Sequence, residues 1–339
     1  MNVNQNTGRN YCISILRVLG MLFIILCHIA SWLDIAFLEQ FFNYGVYIFL
    51  FISGFLYANK EINSPSKWFL TRVKKLLIPF YLFVIPVSIV YFKINGFDGL
   101  EAIKYLFCLQ GINFITPFIP FSEIKPLGNL WFVTIILICY LLTILVKKIE
   151  KKHKLNIAVI ILILVAAWFI PKIMMCFNIP YISLEYFVTY FFGYYISKFK
   201  EKNTLPIFII YGLFLFFASI GIRLVGKYCF DNSINNFYLL IVSATHLGLA
   251  ISTYFICNYL VNKFTIFIKI AKSNIWITFD KLSYPIYITH YAFLNSVTSV
   301  DNFGLSKPIS FLLFILMTIT SALIIFYIDK AIQNKIIRT

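Results

Sequence analysis

The stretch ISILRVLGMLFIILCHIAS, residues 13–31, decides the fold, because it is apolar enough to span a membrane yet contains Arg17 and His28. On an α-helix, residues eleven positions apart return to within roughly 20° of the same face and lie about 16 Å apart along the axis. Arg17 and His28 therefore share one stripe. An ionisable residue inside a bilayer costs at least about 2.5 kcal/mol unless it faces a cavity or a partner. The stripe predicts a polar channel lined by this helix.

The whole chain has the composition of an integral membrane protein. Of its 339 residues, 61% are hydrophobic and 12% are charged, and the mean hydropathy is +0.87. Long apolar segments alternate with short basic loops, which favours a helical bundle over a β-barrel. The formal charge of +16 is spread over these loops, so nucleic acid is not an expected partner. The seven cysteines form no CxxC motif and indicate neither a metal site nor a disulfide framework.

Ten transmembrane helices account for the hydropathy, at about 12–33, 43–58, 76–94, 130–146, 155–170, 181–197, 205–224, 237–260, 282–299 and 309–329. With the N-terminus inside, the cytoplasmic loops hold roughly three times as many basic residues as the outer ones, as the positive-inside rule requires. The longest outer connection, residues 95–129, predicts a re-entrant or interfacial segment. We therefore expect an all-α polytopic bundle in a bacterial-type plasma membrane, with both termini cytoplasmic and residues 1–339 forming one domain.

Arg17 and His28 each have a functional and a structural interpretation. In the functional one, Arg17 anchors an anionic ligand that enters from the cytoplasm, and His28 is a base or nucleophile farther along the channel. In the structural one, Arg17 snorkels to the interface and His28 is a satisfied core histidine. The shared stripe and the cost of intramembrane charge favour the functional interpretation.

Basic and aromatic residues in later segments are candidates for ligand binding. In SKWFLTRVKKLLIPFY, residues 66–81, Arg72 and Lys75 are three positions apart, so on a helix they are neighbours that could clamp phosphates. The positive-inside rule alone explains most such clusters. Trp131, at the start of the fourth span, either stacks on a sugar or belongs to an interfacial aromatic belt.

Glu185 is an acidic residue just inside the outer edge of the sixth span. We expect it to pair with Arg223 or Lys172, or else to help position the histidine of the first span. His246, in the eighth span, is expected to be structural, and His153, in the basic run after the fourth span, is expected to be a solvated loop residue.

The ninth predicted span contains LSYPIYITHYAFL, residues 282–294. Ser283, Tyr287 and His290 are four and three positions apart and so share a helical face. His290 is predicted at a membrane depth comparable with that of His28. Pro285 is expected to kink the helix and to free a carbonyl that can line a cavity. The alternative is a structural hydrogen-bonded pair of Tyr287 and His290.

Together these segments resemble the integral-membrane acyltransferase 3 family, whose members O-acetylate or otherwise acylate cell-surface glycans. The resemblance covers nearly the whole chain and depends on the order and spacing of five elements: Arg17 and His28 with ten residues between them, IFLFISGFL at Ile48 to Leu56, the basic run of Phe69, Arg72, Lys75 and Pro79, LWFV at Leu130 to Val133, and LSYPIYITH at Leu282 to His290. Many members have a second arginine where this chain has Lys75, which puts bidentate phosphate binding there in doubt.

The resemblance implies an acyl coenzyme A donor, most simply acetyl coenzyme A, bound on the cytoplasmic side, and a glycan hydroxyl as acceptor, with no metal. The expected catalytic residues are His28, Arg17 and His290, with His28 as general base or transient acyl carrier. Coenzyme A phosphates are expected at Arg72, Lys75 and Arg17. The acceptor is expected at Trp131, Glu185 and Tyr287.

Two other classes of function stay open for the sequence alone. A transporter that exports a glycan or lipid-linked sugar without acyl transfer is the first, although the chain shows no clear inverted repeat. A purely structural membrane subunit is the second. The sequence leaves the side of transfer, the acyl group, the acceptor and the oligomeric state open, a homo-oligomer included.

Overall fold

The computed structural model describes residues 10–116, 127–153, 156–199, 205–229, 236–295 and 297–338, and within these ranges every regular element is helical. The predicted all-α class is confirmed. The α-helices in chain order are α1 (Tyr11–Trp32), α2 (Ala36–Phe42), α3 (Gly45–Ala58), α4 (Pro65–Asn95), α5 (Gly99–Leu106), α6 (Ile112–Ile115), α7 (Trp131–Lys152), α8 (Ile157–Cys176), α9 (Glu185–Phe199), α10 (Leu205–Cys229), α11 (Asn236–Lys263), α12 (Thr265–Lys272), α13 (Asn274–Thr289) and α14 (Lys307–Arg338). Short 3₁₀ helices cover Gly128–Leu130, His290–Phe293 and Val300–Phe303.

Among the described residues, seven helical stretches are long and apolar enough to cross a membrane: Tyr11–Trp32, Ala36–Ala58, Pro65–Asn95, Gly128–Lys152, Ala158–Cys176, Val242–Lys263 and Lys307–Lys335. The protein is therefore a multi-pass membrane protein. Each of the ten predicted spans overlaps a helix, whereas the count of ten and the placement of both termini in the cytoplasm stay predictions.

The ends of several helices differ from those of the predicted spans, and two of these differences bear on the candidate site. The third begins not near residue 76 but at Pro65, because proline at the first helical position is already set for helix entry. Arg72 and Lys75 consequently lie on α4 itself. The ninth, predicted over 282–299, ends as an α-helix at Thr289 and continues as the 3₁₀ turn His290–Phe293.

The chain folds into two compact units. Unit 1 is formed by the described residues that fall within Met1–Ile24, Gln40–Glu61 and Lys154–Lys281, and unit 2 by those that fall within Ile25–Glu39, Ile62–His153 and Leu282–Thr339. The first part of α1 therefore belongs to unit 1 and its last part to unit 2. Arg17 is a residue of unit 1, and His28 is a residue of unit 2.

In unit 1, α3 and α9 pack with their backbones in contact through two glycines. A Cβ atom at Gly54 would lie 1.9 Å from the carbonyl oxygen of Tyr190, and one at Gly193 would lie 2.0 Å from the carbonyl oxygen of Phe51. Small residues at such positions allow membrane helices to approach closely where the lipid gives no hydrophobic driving force. Gly54 is the glycine of the ISGFL segment, so this element of the sequence has a packing role.

In unit 2, the short helix α5 lies outside the membrane-spanning stretches and begins at a well-formed cap. The Asp98 carboxylate accepts hydrogen bonds from the backbone N–H groups of Leu100, at 2.8 Å, and Glu101, at 3.3 Å. Burial, with the nearby Asp98 carboxylate, raises the pKa of the Glu101 carboxyl, and Lys104 opposes this increase. Glu101 is therefore a buried acid whose ionisation is disfavoured.

Candidate functional site

The geometry of unit 2 brings together the two histidines that the sequence placed at similar depth. The imidazole rings of His28 and His290 have centroids 5.2 Å apart, and the ring of Tyr291 approaches His28 edge-on at 4.8 Å. His290 is fully buried, whereas His28 keeps part of its surface exposed. Of the two, His28 is the more accessible residue.

His290 is held in one orientation by the backbone of its own helix. Its Nδ1 lies 2.8 Å from the carbonyl oxygen of Tyr287 and 3.3 Å from that of Ile286. Carbonyl oxygens accept hydrogen bonds, so Nδ1 carries the proton and the buried Nε2 presents its lone pair. Nε2 has no hydrogen-bond partner within the described part of the chain.

Asn129, from another segment of unit 2, holds Tyr287 in place through two hydrogen bonds. Its side-chain amide donates to the Tyr287 carbonyl at 3.0 Å, and the Tyr287 hydroxyl donates in return to the Asn129 carbonyl. The Tyr287 carbonyl thus accepts from both Asn129 and His290. Tyr287, predicted to contact the acceptor, is buried, and its hydroxyl is used in the hydrogen bond to Asn129. The alternative of a structural hydrogen-bonded pair of Tyr287 and His290 is present in the structure, with the His290 ring bonded to the backbone carbonyl of Tyr287.

In unit 1, Arg17 is paired with an acid that sequence reasoning did not single out. Its Nη1 lies 2.7 Å from Oδ1 of Asp280, and the Ser14 hydroxyl donates to Oδ2 at 2.8 Å. The Asp280 side chain is 9% exposed and that of Arg17 is 37% exposed. Asp280 was missed because the ninth span was predicted to start at residue 282, although an acid beside an apolar run was a usable signal.

The predicted phosphate-binding residues lie one helical turn apart on α4. The Arg72 guanidinium lies 5.9 Å from the ring of Trp68, where a cation–π contact holds it. Lys75 is exposed and close enough to Asp329 of α14 for an electrostatic interaction. Both cations therefore have aromatic or acidic neighbours in unit 2, and their role in donor binding stays a prediction.

Trp131 stacks on Phe114, with ring centroids 4.5 Å apart and an angle of 21° between the rings. One face of the indole is thus covered by Phe114, which lies in α6 of the outer connection. Residues 117–126 of that connection, Lys125 among them, lie outside the described residues. The predicted re-entrant segment and the predicted stacking of Trp131 on a sugar both stay predictions.

Glu185 pairs with Lys172, one of the two partners predicted for it. The Lys172 Nζ lies 2.5 Å from Oε2, and the Tyr47 hydroxyl donates to Oε1 at 3.0 Å. The other predicted partner, Arg223, is buried and donates to the Phe41 carbonyl at 3.5 Å. His153, at the end of α7, is exposed as predicted.

These observations define a multi-pass α-helical membrane protein with a histidine pair inside one of its units. The family model described as "Acyltransferase domain" matches residues 10–327. The chain therefore belongs to the acyltransferase 3 family and is a membrane acyltransferase, as the resemblance implied. No curated protein and no solved structure gives a significant match.

Proposed function

We propose that this protein transfers an acyl group, most simply acetyl, from acyl coenzyme A to a hydroxyl of a cell-surface or lipid-linked glycan, and that His28 is the reacting side chain. The observation that carries the proposal is the contact of a partly exposed His28 with a buried His290 of defined tautomer. Enzymes orient a catalytic base in this way, through a second group that is itself held in place.

In the direct reaction His28 takes the proton of the acceptor hydroxyl as its oxygen attacks the thioester carbon. A C–O bond forms, the C–S bond breaks, and the proton passes from His28 to the departing thiolate, so that the products are the ester and free coenzyme A. In the covalent alternative a ring nitrogen of His28 attacks the thioester carbon, so that an N–C bond forms, the C–S bond breaks and coenzyme A leaves as the thiolate. The acceptor oxygen then attacks the acyl carbon, the N–C bond breaks, and the hydroxyl proton balances the charge of the released thiolate.

His290 acts through His28 in this proposal and is a positioning residue. Its Nε2 lone pair, with Nδ1 donating to the Tyr287 and Ile286 carbonyls, suits it to accept a hydrogen bond from an N–H of His28. Such a bond orients the His28 ring and stabilises the imidazolium that forms as the acceptor loses its proton.

For the donor, we propose that Arg72 and Lys75 of unit 2 contact the phosphates of coenzyme A. They lie three residues apart on α4, which fits two neighbouring phosphate groups. Arg17 of unit 1 is a separate candidate for anion contact, through guanidinium N–H groups other than the Nη1 group that is bonded to Asp280.

Purified protein in nanodiscs, with radiolabelled acetyl coenzyme A and a panel of oligosaccharides, tests the reaction. We expect labelled ester product, and a fall in kcat by a factor of about 100 or more in His28→Ala, the usual range for loss of an acid–base group. His153→Ala is the matched control, because it removes an exposed histidine, and it should retain wild-type activity. Full activity in a correctly folded His28→Ala protein would exclude the proposed role.

Separate measurements resolve the details. Labelled protein that accumulates when the acceptor is omitted would identify the covalent route, and its absence the direct one. His290→Asn should lower kcat and change its pH profile while the donor KM stays unchanged. For the donor site, coenzyme A affinity should fall at least about tenfold when Arg72 and Lys75 are both changed to glutamine, and Lys74→Gln, on the same helix, is the control for lost charge.

A further inference from the structure

Unit 1 contains a group of polar side chains that the proposed reaction does not use. It is built on the ion pair of Lys172 and Glu185, whose side chains are each 10% exposed and whose charged atoms are 2.5 Å apart. The Tyr47 hydroxyl also donates a hydrogen bond to the carboxylate, at 3.0 Å. Lys172 and Tyr47 lie in stretches apolar enough to span a membrane. Ionisable residues at such positions are costly and most often serve a function.

His246 of α11 contacts this group through Tyr47, and its buried ring nitrogens are unusual. Its ring centroid lies 4.9 Å from that of Tyr47, and the residue is only 5% exposed. Both ring nitrogens are buried, and neither has a hydrogen-bond partner in the described part of the chain. Buried polar atoms are nearly always hydrogen-bonded. A histidine with two such atoms is therefore a candidate for contact with a ligand.

The chemistry of the group identifies the kind of ligand. A neutral imidazole offers one donor and one acceptor, the carboxylate accepts, and the ammonium donates. Hydroxyl groups both donate and accept, so a ligand with several hydroxyls can satisfy His246, Glu185 and Lys172 together. The rings of Tyr47 and Tyr186, with centroids 5.5 Å apart, add flat apolar faces of the kind that contact the C–H face of a sugar.

The placement of these residues agrees with a ligand that enters from one end of unit 1. Tyr47 and Glu185 lie in the first turns of α3 and α9, Lys172 lies in the last turns of α8, and His246 lies in the third turn of α11. In the predicted topology Tyr47, Glu185 and Lys172 are at outer ends of spans, and His246 lies deeper on the same side. A sugar at the cell surface would meet this end of the unit.

We propose that Tyr47, Lys172, Glu185 and His246 form a sugar-binding site in unit 1 that takes a hydroxyl-rich unit of the acceptor. This inference rests on the proposed function for the identity of the ligand as a glycan. It assigns ligand contacts to His246, which the sequence alone suggested to be structural, and to Tyr47 and Lys172. It gives the Glu185 pair a place in the binding of a sugar.

Saturation-transfer NMR on the full-length protein in nanodiscs tests the site, with a panel of methyl glycosides as the probes. We expect saturation transfer to at least one glycoside, and a loss of at least fivefold in that signal in His246→Phe, which keeps a ring but removes both nitrogens. Tyr47→Phe, which removes one hydroxyl, should give a smaller loss. His153→Phe is the control and should bind as the wild type does. Size-exclusion profiles and unfolding temperatures establish that each variant is folded.

The outcomes separate this inference from the proposed function. His28→Gln should bind the glycoside as the wild type does, even though it no longer transfers the acyl group. Unchanged binding in a folded His246→Phe protein, or no saturation of any glycoside by the wild type, overturns the sugar site. If His246→Phe does not fold, Tyr47→Phe decides, and wild-type binding in that variant overturns the site. A lack of labelled ester with intact glycoside binding instead counts against the acyl transfer.

Discussion

Replacement of Gly54 by alanine should destabilise the protein, because the added methyl group has no room between α3 and α9. The Cβ atom would lie 1.9 Å from the Tyr190 carbonyl oxygen and 2.8 Å from its carbonyl carbon, whereas ordinary contacts begin at 3.4 Å. The neighbouring atoms are backbone, so the helices themselves must separate by about 1.5 Å at this point. Overpacking of this kind costs about 1–3 kcal/mol, and 2 kcal/mol is roughly a 30-fold change in the folding equilibrium.

Thermal unfolding in one detergent, followed by fluorescence and by size-exclusion chromatography, measures the effect. Gly193→Ala should behave similarly, because its Cβ would lie 2.0 Å from the Phe51 carbonyl oxygen. Gly221→Ala is the matched control: nothing lies within 4 Å of its Cβ, and alanine in a helix interior should stabilise by about 0.5 kcal/mol. An unfolding temperature of Gly54→Ala equal to that of the wild type would refute the reasoning that close backbone contact holds α3 against α9.

Three further perturbations have outcomes that follow from single contacts. Asp280→Asn should destabilise unit 1 by about 1–3 kcal/mol, because the neutral amide replaces the charged partner of a partly exposed Arg17, and wild-type stability in thermal unfolding would contradict this. Asn129→Ala should destabilise the protein by a similar amount and lower kcat, since the buried Tyr287 carbonyl loses its 3.0 Å hydrogen bond. An unchanged kcat would show that this hydrogen bond does not position the histidine pair. Glu101 has a folded-state pKa raised by burial and a neighbouring carboxylate, so the native state retains a proton that the unfolded chain releases. Stability should fall as pH rises from about 4.5 through the folded pKa, and Glu101→Gln should remove that part of the pH dependence in unfolding scans.

The elements of the fold could be predicted because hydropathy is a local property. A bilayer imposes a fixed length on each apolar segment, and every backbone polar group in lipid must be satisfied within a helix. The pattern of the sequence therefore predicted the helices, whereas several of their ends differ from the predicted ones. Pro65 started α4 early, and the chain after Thr289 changed to a 3₁₀ turn.

The candidate site was predictable in part for the same reason. His28 and His290 were assigned similar depths by counting residues along separate helices, and the structure brings their rings to 5.2 Å. The family followed from short motifs in a fixed order, and the match over residues 10–327 confirms it.

The sequence by itself determined that this is a helical membrane protein of the acyltransferase 3 family, since composition and motif order are read along the chain. Only the tertiary structure decided that Arg17 pairs with Asp280 and that His246 adjoins Tyr47. It also decided which nitrogen of His290 bears the proton. In the two pairs the partners lie on helices that are distant in sequence. The position of the His290 proton depends on the carbonyl groups that are free where α13 ends. Periodicity gives the face and depth of a residue, but the identity of its neighbour depends on how the helices pack.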